Sequence, residues 1–395
     1  MARCYSKDET TTTTTTTTTE KNFTCLHKLV QILSFLVVFV AGIVIGLATT
    51  SNINRHFINN RQSFSSSFVP VHKSCDNVNE ECFCGSLKGY LRTKNVSHSM
   101  SDEELLWRAS LMPKKEEYPY KRVPKVAFMY LTRGPLPMLP LWEKFFNGQD
   151  PDLFSIYVHA PPGFYLNVSM DSPFYHREIP SQSVSWGSVK LSDAERRLLA
   201  NALLDFSNER FVLLSESCIP VYNFRKVYRY LTDSTYSFVE SYDDPSRYGR
   251  GRYSRHMLPY IKLYHWRKGS QWFEVNRELA VYIVGDTQYY NLFRKYCTPA
   301  CYPDEHYIPT YLNMFHGSQN SNRTVTWVDW SLGGPHPALY GEANITKDFI
   351  QSIRNNHTLC QYNSEMTSVC YLFARKFAPS ALGPLLHLSS TVMEF

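Results

Sequence analysis

The feature that most constrains this chain is an uninterrupted apolar segment near its N-terminus. Residues 29–48 read LVQILSFLVVFVAGIVIGLA, carry no charge, and include only Gln31 and Ser34 as clearly polar members. As a helix, a segment of this length spans roughly 30 Å, which matches the hydrocarbon core of a bilayer. The segment is longer than the apolar region of a typical cleaved signal peptide and begins only after residue 28. It therefore predicts an uncleaved signal-anchor helix over residues 29–48.

The charges and sequons on either side of this segment indicate its orientation. The basic residues that precede it are Arg3, Lys7, Lys21 and Lys28, whereas Arg55 and Arg61 follow it closely. This bias predicts a cytosolic N-terminus and a lumenal body. Asn-x-Ser/Thr sequons, the acceptors of N-linked glycans in the secretory pathway, agree with that orientation. Asn22 precedes the segment, and the five candidate glycosylation sites that follow it are Asn95, Asn167, Asn322, Asn344 and Asn356.

Composition divides the rest of the chain into regions of different character. Residues 1–28 contain an unbroken threonine tract from Thr10 to Thr19, which predicts a disordered cytosolic tail. Residues 49–122 are rich in Ser, Asn and Lys and have little periodicity, so they predict a lumenal stem with one short helix near 102–110. Residues 123–395 have regular apolar patterns and predict one folded domain.

Charge and cysteine content narrow the classes of partner. The formal net charge of +6 is small for 395 residues, whereas nucleic-acid binding needs a clustered basic face, so no nucleic-acid partner is predicted. Eight of the ten cysteines follow the apolar segment, where an oxidising lumen allows disulfides whose connectivity spacing does not reveal. Cys82 and Cys84 lack a second Cys/His pair at zinc-finger spacing, so no zinc site is predicted.

Strands and helices alternate through residues 123–395, which predicts an α/β fold. An apolar strand at 125–131, a helix at 139–146 and a strand at 153–159 are the opening of a parallel sheet. Ser192 and Glu195 have capping-box spacing and predict that a helix begins there. No GxGxxG or P-loop follows the first strand. Further strands are expected at 210–214, 236–240, 324–330 and 370–377, and further helices at 276–284, 304–314 and 346–354.

Eight short motifs follow one another through this domain. They are KVAFMYLTRG, LFSIYVHAPPG, VSWGSVKLSDAERRLL, LLSESCIP, RKGSQWF, CYPDEHYIPT, TWVDW and CYLFARKF. In this order they resemble the plant branch of the core-2/I-branching β-1,6-N-acetylglucosaminyltransferase family, over roughly residues 125–377. The resemblance implies a type II membrane protein of the Golgi apparatus with a GT-A-like fold and residues 123–395 as its catalytic domain. It also implies an inverting transfer from a UDP-sugar without a metal or other cofactor.

The family's catalytic glutamate has a match in this sequence. Glu305, in PDEHY, stands where the family has that residue. An inverting transfer needs one base that deprotonates the acceptor hydroxyl as it attacks the anomeric carbon. Pro303 and Asp304 suit the first turn of a helix, so Glu305 is expected at the edge of a loop. The alternative is that Asp304 and Glu305 only complement the helix dipole.

The resemblance also implies that basic side chains neutralise the leaving diphosphate. Most enzymes with this fold use a metal held by an Asp-x-Asp motif, and the nearest candidate here, Asp243-Asp244, is typical of a surface turn. Lys376 matches the family's lysine, and the adjacent Arg375 is expected to share its role. Arg354 stands upstream at nearly the family's spacing and completes the predicted diphosphate site. The alternative for Arg375 and Lys376 is a solvated strand edge.

The remaining candidates divide between the nucleotide and the acceptor. The predicted nucleotide contacts are Thr132, Arg133, His159, Ser185 and Trp186. The predicted acceptor contacts are Trp327, which matches an acceptor-side tryptophan of animal members, together with Glu240 and Glu216. For His159 and Trp327 the alternative to a binding role is a purely structural one, because histidine and tryptophan side chains are often buried in the core.

Several functions are compatible with these residues. The donor is expected to be a UDP-sugar, either UDP-N-acetylglucosamine as in animal members or UDP-xylose or UDP-glucuronic acid as in related families. The acceptor is expected to be a hydroxyl of a glycan, a glycoprotein or a cell-wall polysaccharide. A non-catalytic sugar-binding or scaffold protein on the same fold is one alternative. A glycoside hydrolase, which needs two carboxylates at a set separation, is another.

Overall fold

The computed structural model describes Ser34, Val37 and residues 39–43, 96–113, 122–297, 301–355 and 358–395. The tail at 1–28, most of the predicted anchor and stem, and the sequons at Asn95 and Asn356 lie outside the described residues. The described residues between 34 and 43 are helical. Within the described part of the chain, no helix is both long and apolar enough to cross a bilayer. The chain divides into two units, Met1–Cys82 and Phe83–Phe395, and all elements below belong to the second unit.

The second unit is a mixed α/β structure, which confirms the predicted class. Its strands are β1 (Lys125–Leu131), β2 (Phe154–His159), β3 (Asn208–Ser215), β4 (Ile219–Pro220), β5 (Glu274–Asn276), β6 (Thr326–Val328), β7 (Cys360–Tyr362), β8 (Glu365–Thr367) and β9 (Phe373–Arg375). Its helices are α1 (Asp102–Ser110), α2 (Leu139–Phe146), α3 (Val189–Leu203), α4 (Phe224–Thr232), α5 (Arg277–Gly285), α6 (Gln288–Tyr296), α7 (Pro303–Phe315), α8 (Lys347–Arg354) and α9 (Leu382–Leu388).

A four-stranded sheet forms the centre of the fold. Its order is β2-β1-β3-β5, with β1 parallel to both β2 and β3 and with β5 antiparallel to β3. Alternate side chains of β1 enter two different cores: Ala127 and Met129 face one, and Phe128 and Tyr130 face the other. A strand buried on both faces reads as a continuous apolar run, and this explains the sequence KVAFMYL. The smaller sheet has the order β4-β9-β6.

Several helix ends follow directly from local sequence. Ser101 and Glu104 form a complete capping box at the start of α1, and this short helix packs against α3 and α5. The side chains of Asn276 and Thr346 cap α5 and α8. The predicted helices at 102–110, 139–146, 276–284, 304–314 and 346–354 are therefore confirmed to within a residue or two.

Two local predictions are wrong. Helix α3 begins at Val189, so Ser192 lies inside the helix and caps nothing. Ser192 and Glu195 are both buried, and Glu195 accepts a hydrogen bond from Gln271 at 2.8 Å instead of capping the helix. The expected strand at 236–240 contributes only isolated bridges, from Ser237 to Asn320 and from Phe238 to Glu274. In both places tertiary contacts compete with the local pattern.

The described cysteines include two disulfide pairs, which confirms that disulfides are present. Cys297 bonds to Cys301 and Cys360 bonds to Cys370, whereas the thiol of Cys218 is free and buried. The first disulfide immediately precedes α7. Three described sequons, at Asn167, Asn322 and Asn344, are exposed, as glycosylation requires, and their modification stays a prediction.

Candidate active site

A cavity of about 1010 Å³ opens at the carboxyl ends of the parallel strands. Thr132 and Arg133 follow β1, His159 ends β2, and Ser215 and Glu216 lie at the end of β3. Parallel strands in one sheet present their carboxyl ends at a common edge, where α/β proteins place ligands. The fold therefore brings together residues that are distant in sequence.

The cavity contains most of the predicted site residues. Those that line it are Thr132, Arg133, His159, Trp186, Glu216, Glu240, Glu305, Arg375 and Lys376. Three others do not line it. Ser185 makes a turn in which its carbonyl accepts a hydrogen bond from the Ser188 hydroxyl. Trp327 packs against the rings of Tyr340 and Phe349.

Arg354, the third residue outside the cavity, is engaged elsewhere. It ends α8, where it pairs with Glu394 at 2.5 Å, and its guanidinium carbon lies 4.3 Å from the centroid of the Tyr222 ring. Arg354, which its sequence spacing predicted to lie beside the diphosphate, therefore lies outside the cavity in the described structure.

Glu305 lies in the first turn of α7 with its carboxylate in the cavity. Its backbone N–H donates to the carbonyl of Tyr302, and its side chain is 22% exposed. Arg252 donates to the carboxylate at 2.7 Å, and Lys268 Nζ lies at 3.5 Å. The Arg252 guanidinium also stacks on the ring of Tyr302 at 4.0 Å. Glu305 is therefore oriented by two cations, one of which is itself held by an aromatic ring.

The backbone beside Glu305 requires a glycine at position 269. The Gly269 N–H donates to the Glu305 carbonyl at 2.9 Å. A Cβ at Gly269 would lie 1.8 Å from the carbonyl oxygen of Glu240, which no side chain tolerates. This close approach brings the segment that carries Lys268 against the start of α7. Glu240 also lines the cavity, and burial raises the pKa of its carboxyl group.

A buried acid pair lies next to Glu305. Asp304 and Glu195 are 8% and 1% exposed, and Asp304 Oδ1 has no hydrogen-bond partner among the described residues. Burial, with the nearby Glu305 charge as the second cause, raises the pKa of Asp304 to about 7. Burial also raises the pKa of Glu195 well above its usual range, with Asp304 contributing. A protonated Asp304 keeps a second negative charge away from Glu305.

Replacing Asp304 with Asn should therefore stabilise the protein at neutral pH. The folded state binds this proton more tightly than the unfolded state, so Asp304 lowers the free energy of unfolding as pH rises from about 4 to about 7. We expect Asp304→Asn to remove that slope and to add on the order of 2 kcal/mol near pH 7. Thermal melts across this range measure the effect, with the exposed first-turn residue Asp348→Asn as the control. Equal destabilisation by Asp304→Asn at every pH would contradict the protonated state.

A second group of cavity residues is positively charged. Arg133, Arg375 and Lys376 line it, and the Arg375 guanidinium lies 4.0 Å above the ring of Trp272. Burial lowers the pKa of Lys376, and the neighbouring positive charges of Arg375 and Arg133 lower it further. Arg375 Nε is buried and has no hydrogen-bond partner among the described residues. Like charges gathered in this way repel one another until an anion lies between them, so we refer to these three residues as the cationic cluster.

The Asp243-Asp244 pair, interpreted from sequence as a surface turn and not as a metal-binding motif, is engaged with protein groups. Asp243 accepts a hydrogen bond from Arg250 Nε at 2.8 Å, and Asp244 accepts one from the Ser246 N–H at 2.8 Å. Asp244 also lines the cavity. Among the described residues, no group of three or more His, Cys, Asp or Glu side chains is arranged to hold a metal ion.

The partners of Glu305 were not among the residues predicted from the sequence. Arg252 lies in a short basic and aromatic run, RYGRGRYSR, whose spacing to Glu305 carries no signal. Lys268 and Trp272 belong to RKGSQWF, one of the eight ordered motifs, and this motif was the sequence signal that could have identified them as site residues. Trp330 and His336, on a loop after β6, also line the cavity.

Comparison with known proteins identifies the class to which this site belongs. The family model of the Core-2/I-branching enzymes matches residues 126–354, more than half of the chain. The chain belongs to this family and is a glycosyltransferase.

A curated plant protein supports the same assignment. The chain is 36% identical over 310 residues to Glycosyltransferase BC10 of Oryza sativa subsp. japonica, covering 67% of this chain and 76% of the rice protein. The family resemblance expected from the ordered motifs is thereby confirmed.

Proposed function

We propose that this protein is an inverting glycosyltransferase that transfers a sugar from a UDP-sugar to a hydroxyl group without a metal ion. The observation that carries the proposal is one cavity that holds both an oriented carboxylate, Glu305, and the cationic cluster. An inverting transfer requires a base for the acceptor and positive charge for the leaving diphosphate. On this proposal the α/β domain has the GT-A-like arrangement.

The proposed reaction is a single displacement. The Glu305 carboxylate takes the proton of the acceptor hydroxyl, while that oxygen forms a bond to the anomeric carbon of the donor sugar. The bond between this carbon and the β-phosphate oxygen breaks, and UDP leaves with the electron pair. Arg133, Arg375 and Lys376 stabilise the negative charge that develops on the diphosphate. The ion pair from Arg252 sets the direction of the Glu305 carboxylate before the acceptor enters.

The predicted setting of the reaction remains part of the proposal. The segment at 29–48 would anchor the chain in the Golgi membrane as a type II protein, with the domain in the lumen. The exposed sequons at Asn167, Asn322 and Asn344 are compatible with that location. Glycosidase treatment of the full chain from microsomes tests it, since unmodified sequons on a correctly folded chain would argue against a lumenal domain.

The donor and acceptor are proposed only as classes. UDP-N-acetylglucosamine, UDP-xylose and UDP-glucuronic acid are the donors to compare, and the acceptor is a glycan, a glycoprotein or a cell-wall polysaccharide. The test measures UDP release by the full chain from each donor, with and without cell-wall glycans. Acceptor-dependent release from one donor supports the proposal. Release that is the same with water alone as acceptor would indicate hydrolysis.

Removal of divalent cations should leave the rate unchanged. Because the cationic cluster supplies the positive charge at the diphosphate, an excess of EDTA is expected to change kcat/KM by less than about twofold. UDP release with and without EDTA measures the effect. A loss of activity that Mn²⁺ restores would refute the metal-free mechanism and would direct attention to Asp244, which lines the cavity.

A further inference from the structure

The short helix α1 is connected to the cavity through one buried arginine. Arg197, on α3, is 4% exposed, and its Nε and Nη2 atoms donate to the two carboxylate oxygens of Asp102 at 2.6 and 2.5 Å. Its remaining Nη1 atom lies 2.9 Å from Nε2 of His159. Asp102 is the first residue of α1, and His159 is the last residue of β2. A bidentate pair of this kind fixes both the position and the plane of a guanidinium.

This arrangement determines the protonation state of His159. A guanidinium can only donate hydrogen bonds, so Nε2 of His159 must accept and the ring proton must be on Nδ1. Burial, and next the positive charge of Arg197, lower the pKa of His159 to about 4. His159 is therefore a neutral imidazole with one defined tautomer, and the residue that fixes its partner is Asp102.

Asp102 also holds a second residue that lines the cavity. Gln182 Nε2 donates to Asp102 Oδ2 at 2.8 Å, and Gln182 contributes to the cavity wall together with His159. One carboxylate thus contacts one wall residue directly and a second one through Arg197. If the Asp102–Arg197 salt bridge only attached α1 to the domain, its two members would not need to contact Gln182 and His159, which line the cavity.

We propose that Asp102 is a positioning residue for the nucleotide site. Helix α1 then contributes to nucleotide binding by holding Asp102 in place. Asp102 lies before the region matched by the family model, which begins at residue 126, and within the segment that composition assigns to the stem. The inference rests on the proposed function, because it assumes that the wall formed by His159 and Gln182 contacts the UDP moiety. His159 ends β2 beside Thr132 and Arg133, close in the fold to the loop that contributes to the cationic cluster.

The test compares Asp102→Asn with Glu103→Gln in the full chain. Glu103 is exposed and lies in the same first turn, so its substitution removes the same charge from the helix N-terminus without touching Arg197. We expect Asp102→Asn to raise the KM for the UDP-sugar and the Kd for UDP about tenfold, with kcat within about twofold. Glu103→Gln should leave all three unchanged, and Asp102→Glu should restore part of the affinity.

A double-mutant cycle with His159→Gln separates positioning from simple attachment. Because Asp102 acts through His159 as well as through Gln182, the Asp102→Asn change should cost less UDP affinity when His159 is already replaced than in the wild-type background, although its effect on the melting temperature should persist. A lower melting temperature with unchanged UDP affinity in Asp102→Asn would overturn the proposal and leave α1 as a structural support.

A labelling experiment provides a readout that does not depend on UDP. Acylation of His159 by diethyl pyrocarbonate, followed by peptide mass spectrometry, should be faster in Asp102→Asn than in the wild type and unchanged in Glu103→Gln. Equal labelling in all three proteins would show that Asp102 does not hold His159. Failure of the proposed function would appear differently, as an absence of UDP binding by the wild-type chain itself.

Discussion

Replacing Glu305 with Gln is expected to lower kcat by about 10²- to 10⁴-fold while UDP binding stays within about twofold of the wild type. The amide keeps the shape of the side chain and can still accept a hydrogen bond from Arg252, but it cannot take a proton from the acceptor hydroxyl. The cationic cluster is untouched by this change, so the diphosphate should bind as before. Steady-state UDP release measures the rate, and calorimetry measures the affinity for UDP.

The matched control for this prediction is Glu365→Gln. Glu365 is an exposed glutamate on the β7-β8 hairpin and does not line the cavity. Its substitution removes the same charge from the chain and should leave both kcat and UDP affinity unchanged. Turnover close to the wild-type rate in Glu305→Gln would refute the role of this residue as the base. The alternative function of the Asp304-Glu305 pair, complementing the dipole of α7, would then remain.

The second large effect is expected from Lys376→Ala. Lys376 belongs to the cationic cluster, where it shares the cavity with Arg375 and Arg133. Removing one such group at a site of developing charge typically costs about 10²- to 10³-fold in rate, so we expect a loss of that size in kcat/KM. The Kd for UDP should rise as well, because the diphosphate loses a charge-assisted contact. Lys376→Arg should retain part of the activity, since the charge remains while its geometry changes.

Arg354→Ala is the control that gives this prediction its specificity. Arg354 was predicted from spacing to lie beside the diphosphate, yet it pairs with Glu394 on α8 and does not line the cavity. Its loss should change kcat/KM by less than about twofold and should cost at most a small part of the stability, as partly exposed ion pairs usually do. Similar losses in Arg354→Ala and Lys376→Ala would place Arg354 in the diphosphate site after all.

The sequence alone predicted the α/β class and most of the longer strands and helices. The apolar run from Val126 to Leu131 in β1 and the periodic apolar residues of the helices are local patterns. The caps at Asn276 and Thr346 likewise depend on side chains only three residues from their partners. The motif PDEHY also placed Glu305 correctly in the first turn of a helix, since Pro at the start of a helix is a local signal. The family resemblance depended on the order of eight short motifs, which is visible in the sequence without any structure.

Local reasoning failed where a side chain was recruited by a distant part of the chain. Ser192 and Glu195 have the spacing of a capping box, but both are buried, and Gln271, 76 positions away in sequence, binds Glu195. Arg354 stands at a suggestive spacing, but Glu394 at the end of the chain binds it. In each case a hydrogen bond or ion pair formed on folding outweighs the local pattern.

What the sequence predicted by itself is therefore the α/β class, the longer elements, the family, and Glu305, Arg375 and Lys376 as candidate site residues, all three of which line the cavity. Only the tertiary structure brought Arg252 to Glu305, gathered Arg133 with Lys376, and connected Asp102 to His159. The physical reason is the sequence separation over which each interaction acts. Helix caps, apolar periodicity and proline effects act within a few residues, whereas the orientation of a carboxylate or the tautomer of a histidine depends on groups that meet only when parallel strands bring their ends to one edge of a sheet.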